Sequence, residues 1–250
     1  IPMDVGMKIA FLITAVWWVA FSIPLIRDVH QTHYKERAEH LIRDTFGGLW
    51  KTVKRIFKDK RLRYFMLAFF CYIDGVHTII TMSTSYGTDL GIGSTQLVLA
   101  LLVTQFVAFP CSIIYGKLAG RFGSKTMITA AVVAYMCIVF FAAFFLRAAL
   151  EFWILAILVG MFQGGIQALS RSYYGKIIPK DHANEYYGFY DIFGKTASII
   201  GTFLVATTTS LTGNASIGVL SIAILLAVAL VFLLLQKDPT KGSTEAATVD

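Results

Sequence analysis

Long apolar runs alternate with short polar segments along the chain, and this pattern sets the class of protein. Seven of the runs are about 20 residues long, which is enough for a helix to cross the hydrocarbon of a bilayer. They cover about residues 7–26, 64–86, 96–116, 126–147, 152–174, 187–209 and 216–236. Backbone groups in hydrocarbon must be hydrogen-bonded within the protein, so runs of this length predict transmembrane helices.

The composition agrees with this class. Hydrophobic residues make up 56% of the chain and charged residues 15%, whereas a soluble domain carries roughly a quarter charged residues. In a soluble protein the net charge of +7 would suggest nucleic acid as a partner. Here the basic residues lie between the apolar runs, so we expect the lipid bilayer and no nucleic acid as a partner.

The basic residues also predict the orientation. Counted by alternate connections, nineteen Lys and Arg fall on one side of the membrane, and only Lys8 and Arg147 fall on the other. The connection over residues 27–63 alone carries eleven of the nineteen. Because basic residues are retained in the cytoplasm, this connection and the C-terminal tail are predicted to be cytoplasmic. A bacterial inner membrane is the expected location.

The pattern divides the chain into four parts. Residues 1–26 form one helix, 27–63 a basic cytoplasmic linker, 64–236 a six-helix bundle, and 237–250 a polar tail that we expect to be disordered. The chain starts without an initiator Met and places its first residues outside. We therefore expect it to be the later part of a longer polypeptide, or to be observed only in part.

The linker offers two interpretations. Leu49, Val53, Ile56 and Phe57 share one face of a predicted helix, and Lys and Arg occupy the other face. This pattern fits a helix on the cytoplasmic lipid surface, and a solvated linker fits nearly as well. The linker histidines, His30, His33 and His40, lack the cysteines or carboxylates that usually complete a metal site, so neither a metal nor a cofactor is expected.

Polar residues lie at matching depths in two of the runs. Without the first run, six remain, and transporters are often built from two three-helix repeats of inverted topology. The first helix of each repeat carries "CYIDGVHT" and "MFQGGIQA", about ten residues or 15 Å from the span entry. We therefore expect the central site at these positions, with candidates Asp74, His77 and Thr78 on one helix and Gln163 and Gln167 on the other.

Each charged candidate has two interpretations. A carboxylate at the bilayer centre costs about 3 kcal/mol on insertion scales, so Asp74 should line a water-accessible path or be held in a hydrogen bond between helices. His77 lies beside it, and a neutral imidazole there needs only a carbonyl partner. Asp191 and Lys195 are four residues apart, the spacing of an ion pair within one helix. The alternative is that they exchange partners with Asp74 or with a solute.

A cytoplasmic connection carries a family resemblance. "GKLAGRFGSK", residues 116–125, resembles the signature loop of the major facilitator superfamily, roughly G-x-L-a-D-r-x-G-r-k. Five residues match this pattern: Gly116, Leu118, Arg121, Gly123 and Lys125. Gly120 stands where that family usually has an acidic residue. The loop also has the expected place, after the second helix of a half.

A second resemblance covers most of residues 64–236. "GGIQALSRSYYGKIIPKDHANEYYGFYDIFGKTASIIG", residues 164–201, and "YIDGVHTII" followed by "SYGTDLGIG" resemble the autophagy-linked vacuolar amino-acid effluxers and their bacterial relatives. The resemblance implies an all-α membrane protein of major-facilitator type, with a six-helix C-terminal half preceded by one transmembrane helix. Its implied site residues are Asp74, Gln163, Gln167, Arg171, Asp191 and Lys195. An amide would be expected at His77.

These observations predict a secondary transporter that moves a small polar solute, with amino acids as the candidate class and protons as the candidate coupling ion. Arg171 would be a gate or a carboxylate contact, or an arginine that extends to the interface. The missing N-terminal half, or a second copy of the chain, would complete the cavity. The alternative is a non-transporting scaffold or receptor on a transporter fold. An enzyme is not expected, because no catalytic motif is present.

Overall fold

A computed structural model describes residues 3–29, 41–89 and 91–236 of the 250-residue chain. Within these ranges the protein is helical and contains no β-strand, which confirms the all-α class. The helices are α1 (Met3–Asp28), α2 (Leu41–Lys58), α3 (Lys60–Asp89), α4 (Ser94–Phe122), α5 (Ser124–Phe145), α6 (Ala149–Ile177), α7 (Ala183–Thr196), α8 (Ile199–Thr212) and α9 (Ala215–Leu235). A short 3₁₀ turn, Lys180–His182, precedes α7.

Seven stretches of the described chain are long and apolar enough to cross a membrane, and each falls on a predicted run. The protein is therefore an integral, multi-pass membrane protein. The chain forms two compact units, Ile1–Thr45 and Phe46–Asp250. In the first unit, α1 exposes large apolar side chains around its whole circumference, among them Phe11 at 76% and Trp18 at 67%. Such a helix suits an apolar solvent on all sides.

In the second unit, α3 is the central helix and contacts every helix from α4 to α9. The most extensive packing joins α4 to α6, where Gly160 and Gly164 face the α4 backbone. A Cβ at Gly160 would lie 2.7 Å from the carbonyl oxygen of Thr104. The G-x-x-x-G spacing on α6 is thus explained by close helix packing. Large apolar side chains such as Phe106, 78% exposed, cover the outside of the bundle.

The sixth span, Lys180–Thr212, is a broken helix, whereas the sequence predicts one continuous run over 187–209. α7 ends at Thr196 and α8 begins at Ile199. Between them Ser198 has φ +87°, in the left-handed region that side chains other than glycine rarely adopt. Apolar content cannot reveal such a break, because it describes the composition of a segment and not the backbone angles of one residue within it.

The signature segment is mostly helical. α4 continues through Gly116, Leu118 and Arg121 to Phe122, and Gly123 alone separates it from α5. Gly123 has φ +87° and ψ 142°, a conformation that in practice only glycine adopts. The connection predicted as a loop is therefore a one-residue corner. Lys125 follows it in the first turn of α5, where its Nζ donates to the carbonyl oxygen of Gln236 at the end of α9.

The linker contributes α2, which meets α3 at Asp59. The Asp59 carboxylate accepts the backbone N–H of Arg61 at 2.8 Å and so caps the start of α3. Three of the linker predictions, for His30, His33 and His40, fall outside the described residues. The same is true of the disorder predicted for 237–250. In the part of the chain that is described, no three His, Cys, Asp or Glu side chains come together as metal ligands would.

Candidate functional site

A groove that charged and polar side chains share with apolar ones lies between α3, α6 and α7, with a volume of about 390 Å³. It is lined by Phe69, Ile73 and His77 of α3, by Gln167, Ala168 and Arg171 of α6, and by Tyr190, Asp191, Gly194 and Lys195 of α7. Five of the eight sequence candidates for the solute pathway therefore meet in one place. They come from α3, α6 and α7.

The groove contains charges of both signs. Arg171 Nη1 donates to Asp191 Oδ1 at 3.1 Å, and the Arg171 guanidinium also lies 5.2 Å from the centre of the Tyr187 ring. The short turn between α6 and α7 brings these side chains together, because it places the end of α6 beside the start of α7. Asp191 thus pairs with Arg171 of the neighbouring helix, and the ion pair that its spacing to Lys195 suggested is not formed.

Lys195 is exposed in the groove and makes no ion pair with any described residue. His77 lies half-buried in the opposite wall. An ammonium group with no carboxylate partner, beside a groove of this size, is suited to an anionic group on a bound molecule.

Asp74 lies outside the groove and is fully buried. Its Oδ1 accepts the backbone N–H groups of Ser198 at 2.6 Å and Gly201 at 3.1 Å, and the hydroxyl of Thr78 at 3.4 Å. Asp74 therefore occupies the place of an N-cap residue for α8, although it belongs to another helix. In this conformation its contacts match the interpretation of a carboxyl group held between helices.

The second oxygen of Asp74 differs from the first. Oδ2 is buried and has no hydrogen-bond partner among the described residues. A buried ionised oxygen without a partner is costly, so Oδ2 is the unsatisfied polar atom of this contact.

The close approach of Asp74 to α8 depends on Gly201. A Cβ at this position would overlap Thr78 Oγ1 and lie 3.1 Å from Asp74 Oδ1. The N–H of Gly201 can reach the Asp74 carboxylate because Gly201 has no side chain that would stand between the two groups. The unusual backbone of Ser198 contributes a second N–H, and both donors reach the same carboxylate oxygen.

Two candidates have other surroundings. Thr78 is fully buried beside Asp74 and does not line the groove. Gln163 is half-buried and precedes Gln167 by one turn of α6. The Oε1 atom of Gln163 is buried without a hydrogen-bond partner in the described part of the chain. Nearby, the buried hydroxyls of Tyr72 and Ser170 lie 2.5 Å apart and join α3 to α6.

The aromatic residues beside the groove carry no signal in the sequence. Tyr190 stacks on Phe69 with ring centroids 4.1 Å apart, and on Tyr174 at 4.9 Å. These residues are typical of any membrane helix, so polarity gives no signal for them. Ser198 and Gly201 were also missed as partners of Asp74. Both are small residues within "KTASIIG", and their small size is the only local sign in the sequence that the helix is interrupted there.

Comparison with known proteins decides the family. The model of the family described as "Vacuole effluxer Atg22 like" matches residues 3–247. The chain belongs to this family. The Atg22-like resemblance seen in the motifs is therefore confirmed.

Individual relatives agree with this assignment. The "Uncharacterized MFS-type transporter YxiO" of Bacillus subtilis is 52% identical over 242 residues, which cover 96% of this chain and 56% of that protein. "Autophagy-related protein 22" of Cryptococcus neoformans is 25% identical over 244 residues, covering 89% and 43%. "Autophagy-related protein 22" of Saccharomyces cerevisiae strain S288c is 26% identical over 242 residues, covering 83% and 46%. The chain spans about half the length of these relatives.

Proposed function

We propose that the complete protein is a secondary transporter that moves a small polar solute by alternating access, and that the groove is one wall of its solute site. The observation that carries this proposal is the convergence of His77, Gln167, Arg171, Asp191 and Lys195 in one groove of an otherwise apolar bundle. Charged side chains are costly in a membrane and are retained where they meet a partner, water or a solute.

The charges favour amino acids as the solute class. Lys195 supplies a cation for a carboxylate, and Asp191 an anion for an ammonium group. Arg171 neutralises Asp191 in the present conformation and exchanges this partner for the solute carboxylate when the solute binds. Gln167 and His77 supply hydrogen bonds that orient the solute. A zwitterionic solute brings a carboxylate for the cationic side chains and an ammonium group for Asp191. Neither sign of charge in the groove is then left unpaired.

Asp74 is the proposed proton site. A proton on Oδ2 turns the carboxylate into a neutral acid, whose Oδ1 is a weaker acceptor for the N–H groups of Ser198 and Gly201. The hydrogen bonds that hold the start of α8 to Asp74 then weaken, at the break in the sixth span. Because α7 carries Asp191 and Lys195 on the other side of that break, a change there moves groove residues. Protonation is thereby coupled to the shape of the solute site.

The remaining parts of the proposal concern the surroundings of the groove. Residues 1–26 would be the last helix of the preceding half, 27–63 a cytoplasmic linker, 64–236 the six-helix half and 237–250 a cytoplasmic tail. The N-terminal half of the same transporter, or a second copy, would supply the opposite wall. The basic connections support a cytoplasmic C-terminus, and the relative from Bacillus subtilis supports a bacterial inner membrane.

The test is uptake and exchange of labelled amino acids in proteoliposomes that contain the complete polypeptide, with and without a pH gradient. The gradient should drive uptake in the unchanged protein. Asp74→Asn keeps an acceptor oxygen but cannot be protonated to a neutral acid, so it should abolish gradient-driven uptake and leave exchange. Asp181→Asn, an exposed carboxylate in the turn before α7, is the matched control and should transport normally.

Two results would contradict parts of the proposal. Equal gradient-driven uptake by Asp74→Asn and the unchanged protein would mean that Asp74 only holds α8. Absence of flux for every amino acid would exclude the solute class, and absence of flux for a wider set of small polar solutes would favour a non-transporting protein on the same fold.

A further inference from the structure

The helix α2 divides its surface into three sectors. Thr52 and Ile56 are fully buried, and Val53 packs against the core. Trp50 and Phe57 are 62% and 42% exposed although they are large and apolar. Lys51, Lys54 and Lys58 are exposed on the side beyond these aromatic residues. One sector therefore faces the protein, one is apolar without a partner, and one is basic.

Contacts hold α2 against one end of the bundle. Thr52 Oγ1 donates to Glu185 Oε2 at 2.9 Å, and Glu185 lies in the first turn of α7. At the same end, Gln236 Nε2 donates to the carbonyl oxygen of Arg61, in the first turn of α3. Since α3 and the sixth span both enter the membrane here, α2 lies near the bilayer surface rather than extending away from it.

The two exposed aromatic side chains project from one face of α2. Trp50 and Phe57 are seven residues apart, which is about two turns, so they form one row. Lys54 lies between them along the helix, and its Nζ is 5.9 Å from the centre of the Trp50 ring. Rows of aromatic residues flanked by lysines are typical of helices that insert their apolar face between lipid headgroups.

We propose that α2 is a binding site for anionic phospholipids of the bilayer that the protein spans. Trp50 and Phe57 enter the boundary between headgroups and acyl chains, and Lys51, Lys54 and Lys58 contact the lipid phosphates. The complementary charge identifies the lipid, because three ammonium groups that form no ion pair within the described part of the chain favour a negative headgroup over a zwitterionic one. The hydrogen bond between Thr52 and Glu185 also connects the lipid-bound α2 to α7. This is the helix that carries Asp191 and Lys195.

Lipid titration of the complete protein in detergent tests this proposal. Phosphatidylglycerol and phosphatidylcholine of equal chain length are added, and bound lipids are counted by native mass spectrometry. The unchanged protein should prefer phosphatidylglycerol. The triple variant Lys51→Gln/Lys54→Gln/Lys58→Gln should lose affinity for it by on the order of tenfold to a hundredfold.

A control variant removes three charges from other helices. Lys117→Gln/Arg121→Gln/Lys180→Gln changes exposed basic residues near the cytoplasmic ends of α4 and α6 and should retain the preference. Trp50→Ala/Phe57→Ala should weaken the binding of both lipids. Equal losses in the two triple variants would show that only net charge matters. Unchanged phosphatidylglycerol binding after the α2 changes would show that another part of the complete polypeptide covers this helix. Either result overturns the proposal.

Discussion

Asp74 Oδ1 lies 2.6 Å from the backbone nitrogen of Ser198, although the two residues are 124 positions apart. The contact joins the centre of α3 to the break between α7 and α8. An acidic side chain of one helix thus accepts the N–H group of the residue that caps another helix and the N–H group of Gly201 in its first turn. The break in the sixth span leaves N–H groups that need an acceptor, and the carboxylate in the second span is that acceptor.

The contact of Asp74 predicts that its contribution to the stability of the fold can be measured separately from its proposed role in proton coupling. Asp74→Ala leaves the N–H groups of Ser198 and Gly201 without an acceptor, and each such loss costs about 1–3 kcal/mol. We expect a clearly lower thermal midpoint in detergent. Asp74→Asn keeps an acceptor and should lie between Asp74→Ala and the unchanged protein. Equal midpoints for all three proteins would mean that the cap does not stabilise the fold.

Gly201 should tolerate no side chain. Gly201→Ala places a methyl group against Thr78 Oγ1 and Asp74 Oδ1, so α8 must shift away from α3. We expect a loss of about 1–3 kcal/mol in the free energy of unfolding, as in other overpacked sites. The double variant Gly201→Ala/Thr78→Ala removes the nearest hydroxyl and should recover part of the loss. Thermal unfolding in detergent measures both.

A suitable control for Gly201→Ala is Gly188→Ala, because a Cβ at Gly188 has no neighbour within 4 Å. This variant lies in α7, where alanine is a better helix former than glycine. It should leave the thermal midpoint unchanged or raise it. A loss as large as that of Gly201→Ala would show that the method does not resolve close packing.

The ion pair between Arg171 and Asp191 should matter for transport more than for stability. Both side chains are about half exposed, at 58% and 44%, and exposed pairs contribute at most about 1 kcal/mol. A double-mutant cycle of Arg171→Gln and Asp191→Asn should therefore give a small coupling in thermal unfolding. In proteoliposomes each variant should raise the KM for the solute at least tenfold. Normal KM values would remove both residues from the solute site.

The packing of α4 on α6 should be sensitive to single methyl groups. Gly160→Ala would bring Cβ to 2.7 Å from the carbonyl oxygen of Thr104, and backbone cannot move aside as a flexible side chain can. We expect a loss of about 1–3 kcal/mol, measured as thermal unfolding in detergent. Gly120→Ala on α4 has open space around it and is the matched control. Equal behaviour of the two variants would contradict the packing that the structure shows.

Much of the fold follows from local patterns in the chain. All seven predicted spans fall on helical stretches of membrane length, of which the sixth is broken between α7 and α8, because apolar content over about 20 residues is a property of each segment by itself. Of the polar residues at matching depth in the second and fifth spans, two line the groove and Asp74, Thr78 and Gln163 do not. His77 and Gln167 line it, on helices that are 90 residues apart in sequence.

The sequence by itself therefore determined the class of protein, the spans, and most of the polar residues of the groove. Only the tertiary structure decided the partners: Asp74 with the start of α8, and Asp191 with Arg171 rather than Lys195. The reason is physical. Hydropathy and helical spacing act within a segment, whereas a hydrogen bond or ion pair depends on how close two helices pack. That distance is set by residues such as Gly201 and Gly160, whose role appears only when their neighbours are in place.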